Sequence, residues 1–560
     1  MVLDNSLDSL DVREKLSKDA MYFRNRINGR LAAMTRQYPV ILTLIGIFFV
    51  AVQAVAQISQ PRRYEAVYKS SEDQYSIISL REEGLALFRD MNKYKDGNKT
   101  WELIVLDTAL QEKKKLDIYV KDRHKMVGYE VTPGHLYFLF RTGETTKNDF
   151  ELIDIDLIGS EVAHFSFKPD LDFKLTHFSK AGDNFTFGGY VNNEPTVVLF
   201  EAKENHIRVI PGFFQKNTEL VDLRTNQNRT FNTVLMDRGS RENRKLIFRT
   251  FDETGKQLLE DVVPIDEEKS LQTGMTSTLE REDLVLLGTW GERNSKQSIG
   301  FYFMTVDPFN EQQIKFIDFG QLQHYLDYLN PKRAERIKEN SKADLTQGRI
   351  PNFTTYVMPY RLTEHKDGFV LLAEVYNPIS TMSPYYSNPY YYNPYFSPYG
   401  YPYSPFYYPG MSRMNRPYMY GGNNKNIDEI KTNQSVLLSF DAHGKVLWDQ
   451  SMQLDDMKMP GIEQVSDFTL LDDKICFLYK KESDLNMKTV MLSDGTTSEL
   501  TEKINLQDAD DAIKSERETE GGVRHWTGNS FYVWGYQTIK NNSKDDRVRD
   551  VFYVNKVVAR

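Results

Sequence analysis

A short element recurs along this chain: a turn built on Gly, Asn or Asp, followed at once by an apolar strand. It reads GLALFRD from Gly84, GHLYFLFR from Gly134, GDNFTFGGY from Gly182 and TFNTVLMD from Thr230. It returns as EDLVLLGTW from Glu282, GFVLLAEVY from Gly368, DKICFLYK from Asp473 and GNSFYVWGY from Gly528. Most intervals are about fifty residues, and the two longer ones, on either side of Gly368, each hold a segment of different texture. A second element follows the first: strand, tight turn, strand, as in ELIDIDLIGSEVAHF from Glu151, KLIFRTFDETGKQLLEDV from Lys245 and SVLLSFDAHGKVLWDQ from Ser435. In these hairpins Asp156, Asp252 and Asp441 are placed to cap the turn, with Gly159, Gly255 and Gly444 in the left-handed position. With one more strand ahead of each unit, the repeat holds four antiparallel strands.

This pattern predicts an all-β chain: a β-propeller of seven or eight four-stranded blades, eight preferred. The final unit, from Glu518 to Arg560, is one strand short. The early segment from Arg63 to Lys69 (RYEAVYK) is placed to supply it, so that the two chain ends pair and no sheet edge is left open. Separate β-sandwiches are the alternative, and the even spacing without linker-like stretches speaks against them. The hairpin carrying Asp441, Gly444, Lys445, Leu447 and Trp448 resembles the strand-turn-strand unit of quinoprotein-type and outer-membrane-assembly propellers. That resemblance implies architecture only. No quinone site accompanies it, and one cysteine cannot form the adjacent pair of quinoprotein alcohol dehydrogenases.

The run from Val40 to Ala56 (VILTLIGIFFVAVQAVA) is 17 residues without a charge. As a hydrophobic helix it spans roughly 25 Å, just short of a bilayer core. It ends in Ala54-Val55-Ala56 before Gln57, the small-x-small pattern of a signal-peptidase site, and Met34 with Arg36 would make an ordinary start. Residues 1–33 are then a cytosolic tail or a misplaced start, with Arg24, Arg26 and Arg30 holding that end inside. Residues 34–56 are a signal peptide or a membrane anchor, and residues 57–560 the exported propeller. A large exported chain with one cysteine fits a bacterial periplasm or cell envelope better than a eukaryotic secretory route. The Ala56-Gln57 junction and the Tyr/Asn-rich insertion resemble envelope proteins of the Bacteroidota in style.

Two insertions interrupt the repeat. Residues 320–342 read as a helical pair: Leu322, Tyr325, Leu326 and Leu329 at helical spacing, then Asn330-Pro331 as cap and first turn of a second, basic helix. This pair either packs on the propeller or forms a lid over its central opening. Residues 378–427 are rich in Tyr and Pro, with 13 of the 33 tyrosines between Pro384 and Tyr420 and no acid between Asn377 and Ile427. Such prolines exclude helix and interior strand. Tyr and Phe at this density supply flat, amphipathic contact area, which makes Tyr390, Tyr391, Tyr392, Tyr395, Phe396, Tyr399, Tyr401, Tyr403, Phe406, Tyr407 and Tyr408 the candidate partner-binding residues. Arg413 and Arg416 favour an anionic surface.

Catalytic signatures are missing from the text. The nine histidines form no HExxH or His-x-His pair, and there is no G-x-S-x-G elbow, P-loop or dinucleotide fingerprint. Cys476 sits in an apolar strand, and Asp508, Asp510 and Asp511 lack the spacing of a calcium loop. No catalytic residue, cofactor or metal is expected. A net charge of -9 argues against nucleic acid as a partner. The sequence therefore reads as an exported, non-catalytic propeller, a binding scaffold for an envelope protein or glycan through the Tyr-rich arm and a propeller face, with the membrane as a further partner if the leader is retained. Two alternatives remain: an envelope hydrolase of glycans or peptides with acids clustered at the channel, and a single-pass membrane sensor.

Overall fold

Eight antiparallel sheets follow one another along the chain in the computed structural model. It describes residues 58–560, except 70–73, 143–148, 238–243, 278–283, 294, 296, 308, 310, 311, 313, 367, 380–428, 460–462, 494, 518, 519 and 544–546. The sheets occupy residues 76–121, 124–167, 173–210, 218–264, 269–318, 356–459, 466–503 and 512–559, here blades 1 to 8. Within a blade the strands pair in chain order, a to d from the innermost outward, and in blades 5 and 8 strand a is split in two. The fold is an eight-bladed β-propeller. The eight recurring turn-strand elements are the eight b strands, and the three hairpins are c–d pairs of blades 2, 4 and 6.

Consecutive residues of a middle strand point to opposite faces of its sheet, and here each face meets a different neighbour. On strand b of blade 1, Ala86 and Phe88 join a cluster with blade 2, while Leu85 and Leu87 join one with blade 8. Phe88 stacks on Phe138 of blade 2 with centroids 4.0 Å apart. In blade 2, Phe138 and Phe140 face back while Tyr137 and Leu139 face blade 3. The middle strands are therefore covered on both sides and read as unbroken apolar runs. Strand d of blade 4, Gln257–Pro264, is covered on one side only: Asp261 and Val263 are buried, while Leu258, Glu260, Val262 and Pro264 are exposed.

The N-terminal strand Ile58–Val67 is strand d of blade 8, lying against Val548–Ala559. The ends pair as the sequence suggests, with the strand set a few residues earlier. Tyr68 closes its far end, its N–H donating to Asp550 O at 2.9 Å. Arg63 donates to Asn555 Oδ1 (3.0 Å) and Gln537 Oε1 (2.9 Å) and lies over the Tyr553 ring at 4.2 Å. Arg549 holds Glu65 at 3.0 Å and Asp511 at 2.7 Å. Blade 8 is in turn tied to blade 1: the Tyr536 hydroxyl accepts from Tyr75 N at 2.7 Å, and Trp526 Nε1 donates to Arg81 O at 2.8 Å. Residues Gln60–Ala559 form one compact unit.

Two sequence expectations shift in detail. Gly255 and Gly444 are left-handed (φ 73° and 78°) beside their capping aspartates, but in blade 2 that position falls to Ser160 (φ 67°) rather than Gly159. The same capped turn occurs in blade 1, unnoticed in the sequence, where Asp107 accepts from Ala109 and Gln111 N and Leu110 is left-handed. The first half of the helical insertion is not an α-helix. A 3₁₀ turn, Phe319–Gln321, leads into further turns in which Leu322, Tyr325 and Leu326 are buried. Asp449 of blade 6 takes the N–H groups of Gln323 and His324, and Gln434 donates to Tyr325 O. Local helical spacing is overridden because these backbone groups are satisfied by a neighbouring blade. The second helix forms as expected: Pro331–Thr346 (α1), with Asn330 accepting from Lys332 N at 3.1 Å and proline in the first turn.

The apolar run from Val40 to Ala56, residues 1–33, and the eleven aromatic candidates from Tyr390 to Tyr408 all lie outside the described residues. Among the described residues no helix is long and apolar enough to cross a membrane.

Candidate functional site

In a four-stranded meander the b–c and d–a connections emerge at one end of the sheet, and the a–b and c–d turns at the other. The ring thus has an upper face of b–c and d–a connections and a lower face of tight turns. Both insertions leave the repeat from strand ends at the upper face. The segment with α1 joins Lys315–Asp318, strand d of blade 5, to Tyr356–His365, strand a of blade 6. Residues 380–428 join Gly368–Ile379 and Glu429–Asp441, strands b and c of the same blade. The contacts of the first insertion run to strands c and d of blade 6 (Gln434, Asp449, Gln453), so it fills the groove between blades 5 and 6 rather than capping the centre.

Blade 6 is lengthened to carry the second. Its strands b, c and d are 12, 13 and 14 residues long. Strand a ends its pairing at Tyr356 with Tyr376, whereas b and c continue to Ile379 with Glu429, and c and d to Ile430 with Met459. At the foot of this extension Met275, Met358, Tyr376 and Ile430 form a small cluster, joined by half-buried Tyr356, Tyr360 and Leu362. Tyr356 and Tyr376 rings are 5.7 Å apart. Met358, Tyr360 and Leu362 lie on the innermost strand, so a packed aromatic and thioether cluster sits at the root of the strands that carry residues 380–428.

The channel-side strands share a device. In blades 2, 3, 4 and 6 strand a slips register at the same place, between Met126 and Gly128, Leu175 and His177, Leu220 and Asp222, Pro359 and Arg361. Such bulges re-aim side chains. Asp222 reaches blade 5, accepting from Thr276 N (3.0 Å) and Oγ1 (2.8 Å). Asp467 of blade 7 accepts from His525 N of blade 8 (2.9 Å) and from Arg361 of blade 6 (2.8 Å). Glu374 of blade 6 accepts from Val465 N and Ser466 N (2.9 and 2.8 Å). Tyr190 and Tyr536, equivalent residues of strand b, each accept from the first strand of the next blade, at Leu220 N and Tyr75 N.

Burial pushes Glu374 up to about 7 and Asp318 up to about 6, and it raises Asp222, Asp261 and Glu502 as well. Burial also acts to raise Asp467, but Arg361, His525 and Arg524 outweigh it and hold that carboxyl below its usual range. The raised acids belong to blades 4, 5, 6 and 7, and Glu374 and Asp222 are committed to the backbone of the next blade. Among the described residues, then, the raised acids are spread over four blades. Asp511 is spent on Arg549 and Asn541, which lower it to about 2. Cys476 is buried in blade 7, and burial raises its thiol. Sequence reasoning missed Glu374, Asp222 and Asp467. The available signal was a lone acid inside an apolar strand, as in LLAEVY or ELVDL, where an unpaired carboxylate would be costly.

Fold and site together define a class: an eight-bladed propeller with blade-to-blade stitches at its centre and two insertions on one face. No protein-family model matches the chain, and no curated protein matches it. Among solved structures it is similar to the polysaccharide lyase Uly1, at 9% identity over 87% of this chain and 100% of that one, TM-score 0.37. It is also similar to a PL25 ulvan lyase (8% identity, 76% and 93% covered, TM-score 0.36). A third is the β-propeller domain of the Trilobed protease from Pyrococcus furiosus (11% identity, 77% and 93% covered, TM-score 0.32). At these scores the likenesses carry no argument about what this chain binds or does.

Proposed function

We propose that this chain is an exported, non-catalytic propeller that binds a protein or glycan of the bacterial cell envelope through its upper face at blades 5 and 6. The observation that carries the reading is topological. Two unrelated insertions leave the repeat at different strands yet emerge on the same face of adjoining blades, one of them from strands lengthened to carry it. The 13 tyrosines between Pro384 and Tyr420 supply contact chemistry suited to sugar rings or apolar side chains. The inner-strand acids support the same reading, since they serve blade packing.

The test replaces residues 380–428 with a short Gly/Ser turn between Ile379 and Glu429. Cross-linked partners in intact envelopes and retention on purified envelope glycans are then compared with wild type. Loss of one defined partner or glycan, with an unchanged melting temperature, is the expected result. An identical partner set and identical glycan retention would refute the assignment to this face.

A further inference from the structure

Arg141 is the last residue but one of His135–Thr142, strand b of blade 2, at its upper end. Pairing places it in a row that runs outward across the blade: Lys125, Arg141, Phe150, Phe167. Cross-strand partners share a face. This face meets blade 3, where Phe150 clusters with Phe173 and Phe187, and Phe167 stacks on Phe200 with centroids 4.3 Å apart. A cation thus stands at the top of an aromatic seam, with a second cation directly opposite it on the inner strand. The Nε of Arg141 is buried and has no partner, while its Nη groups keep an opening to solvent.

The neighbouring acids do not neutralise it. Glu151 points to the opposite face, where it holds His164 at 3.0 Å and accepts from Lys121 N. Asp149 pairs with Lys168 at 3.6 Å, and Asp170 and Asp172, in the connection to blade 3, exert no effect on Arg141. Burial lowers the guanidinium's value, and among the described residues no charge offsets it. Other covered arginines show the contrast: Arg89 holds Glu102, Arg249 holds Glu260, Arg361 holds Asp467 and Arg549 holds Asp511. A lysine or an acid in such a place could give up its charge, but a guanidinium cannot. A charge partly withdrawn from water without a counter-ion is costly, and an anion is what removes that cost.

We infer that the upper end of the seam between blades 2 and 3 is an oxyanion site, in which Arg141 takes a carboxylate or sulfate group of a ligand arriving from solution. The guanidinium presents its Nη donors as a fixed fork that matches two oxygens of such a group. The aromatic wall beneath keeps water from one side of the pair, and a charge-assisted bond is stronger where the surroundings are less polar. Blades 2 and 3 do not adjoin blades 5 and 6, so the inference does not rest on what the insertions bind.

The full chain, as wild type, Arg141→Leu and Arg141→Gln, is titrated calorimetrically with sodium sulfate and with sodium glucuronate, at an ionic strength held constant with chloride. Wild type is expected to bind at least one of the two anions, and both variants to bind it about tenfold more weakly or worse. Tighter sulfate points to a sulfated ligand, tighter glucuronate to a carboxylate. Melting temperatures are expected to cross. In chloride alone the Arg141 variants melt at or above wild type, because an unpaired charge has gone; in the bound anion wild type melts higher. Glu144, two residues past the strand, lies outside the described residues, and Glu144→Gln is expected to keep the wild-type affinity. Four results would each overturn the inference: no binding by wild type, equal binding by the Arg141 variants, both variants melting below wild type in chloride, or tighter binding by Glu144→Gln. The last would mark Glu144 as the resident counter-ion. Replacing residues 380–428 is expected to leave the titrations unchanged, which separates this result from the test at blades 5 and 6.

Discussion

His177 shows how much a single buried group weighs here. Its Nδ1 meets Thr176 Oγ1 at 2.7 Å, its Nε2 has no partner, and burial drives it down from 6.5 to about 4. A base with a lowered folded value binds protons first in the unfolded chain. Its contribution is therefore whole above about 6.5 and is lost as pH falls toward 4, on the order of 3 kcal/mol across the window. Glu374 has the opposite sign. An acid raised from 4.5 to about 7 stabilises below 4.5 and loses that contribution as pH rises toward 7. Between these limits the two slopes oppose each other. We expect His177→Gln to leave urea midpoints that fall with rising pH, and Glu374→Gln to leave midpoints that rise; parallel curves for both variants and wild type would contradict the assignment. Glu374 carried a signal in the sequence, a lone acid inside the apolar run LLAEVY, whereas a lone His on a strand reads the same whether it is covered or wet.

Elements were legible where the backbone writes its needs into residue type. Asp252-x-x-Gly255 and Asp441-x-x-Gly444 announce capped turns since few other residues both bind the turn amides and accept positive φ. Gly444 and Gly495 are both left-handed (φ 78° and 71°), but a Cβ on Gly444 would meet Phe303 at 2.2 Å whereas one on Gly495 meets nothing within 4 Å. Both alanine substitutions should destabilise by about 1 kcal/mol for the backbone, and Gly444→Ala by distinctly more; equal thermal shifts would exclude the Phe303 clash. The segment around Leu322–Leu329 was misread since apolar spacing reports which residues are buried, not what holds their backbone. Asp449, buried, supplies that hold. Asp449→Ala should cost about 1–3 kcal/mol and release amide protection at Gln323 and His324 while α1 stays protected. Unchanged exchange at both amides would show that the turns hold themselves.

At the scale of the whole ring, period and closure were legible because every blade repeats one problem: a meander with two apolar faces that only neighbours can cover. What the text could not show was how the interfaces differ. The contacts between consecutive blades link neighbouring repeats, whereas the closing one joins Tyr75 to Tyr536 and depends on a strand that arrives from the other end of the chain. Bringing those ends together is the largest loop-closure step in the fold, and the Arg63, Glu65, Arg549 and Asp511 network secures it. Removing residues 1–67 should therefore do more than subtract one strand. Val548–Ala559 becomes a free edge, so the shortened chain is expected to lose amide protection first in blade 8 and to associate with itself as concentration rises. A synthetic peptide of residues 58–67 (ISQPRRYEAV) should bind the shortened chain, restore the monomer and raise its melting temperature. The same peptide with Arg63→Glu and Glu65→Arg should fail. The first change removes the guanidinium that donates to Asn555 and Gln537, and the second sets a cation against Arg549. A shortened chain that stays monomeric and melts as wild type does would show that seven interfaces hold the ring and that the closing strand is only an appendage.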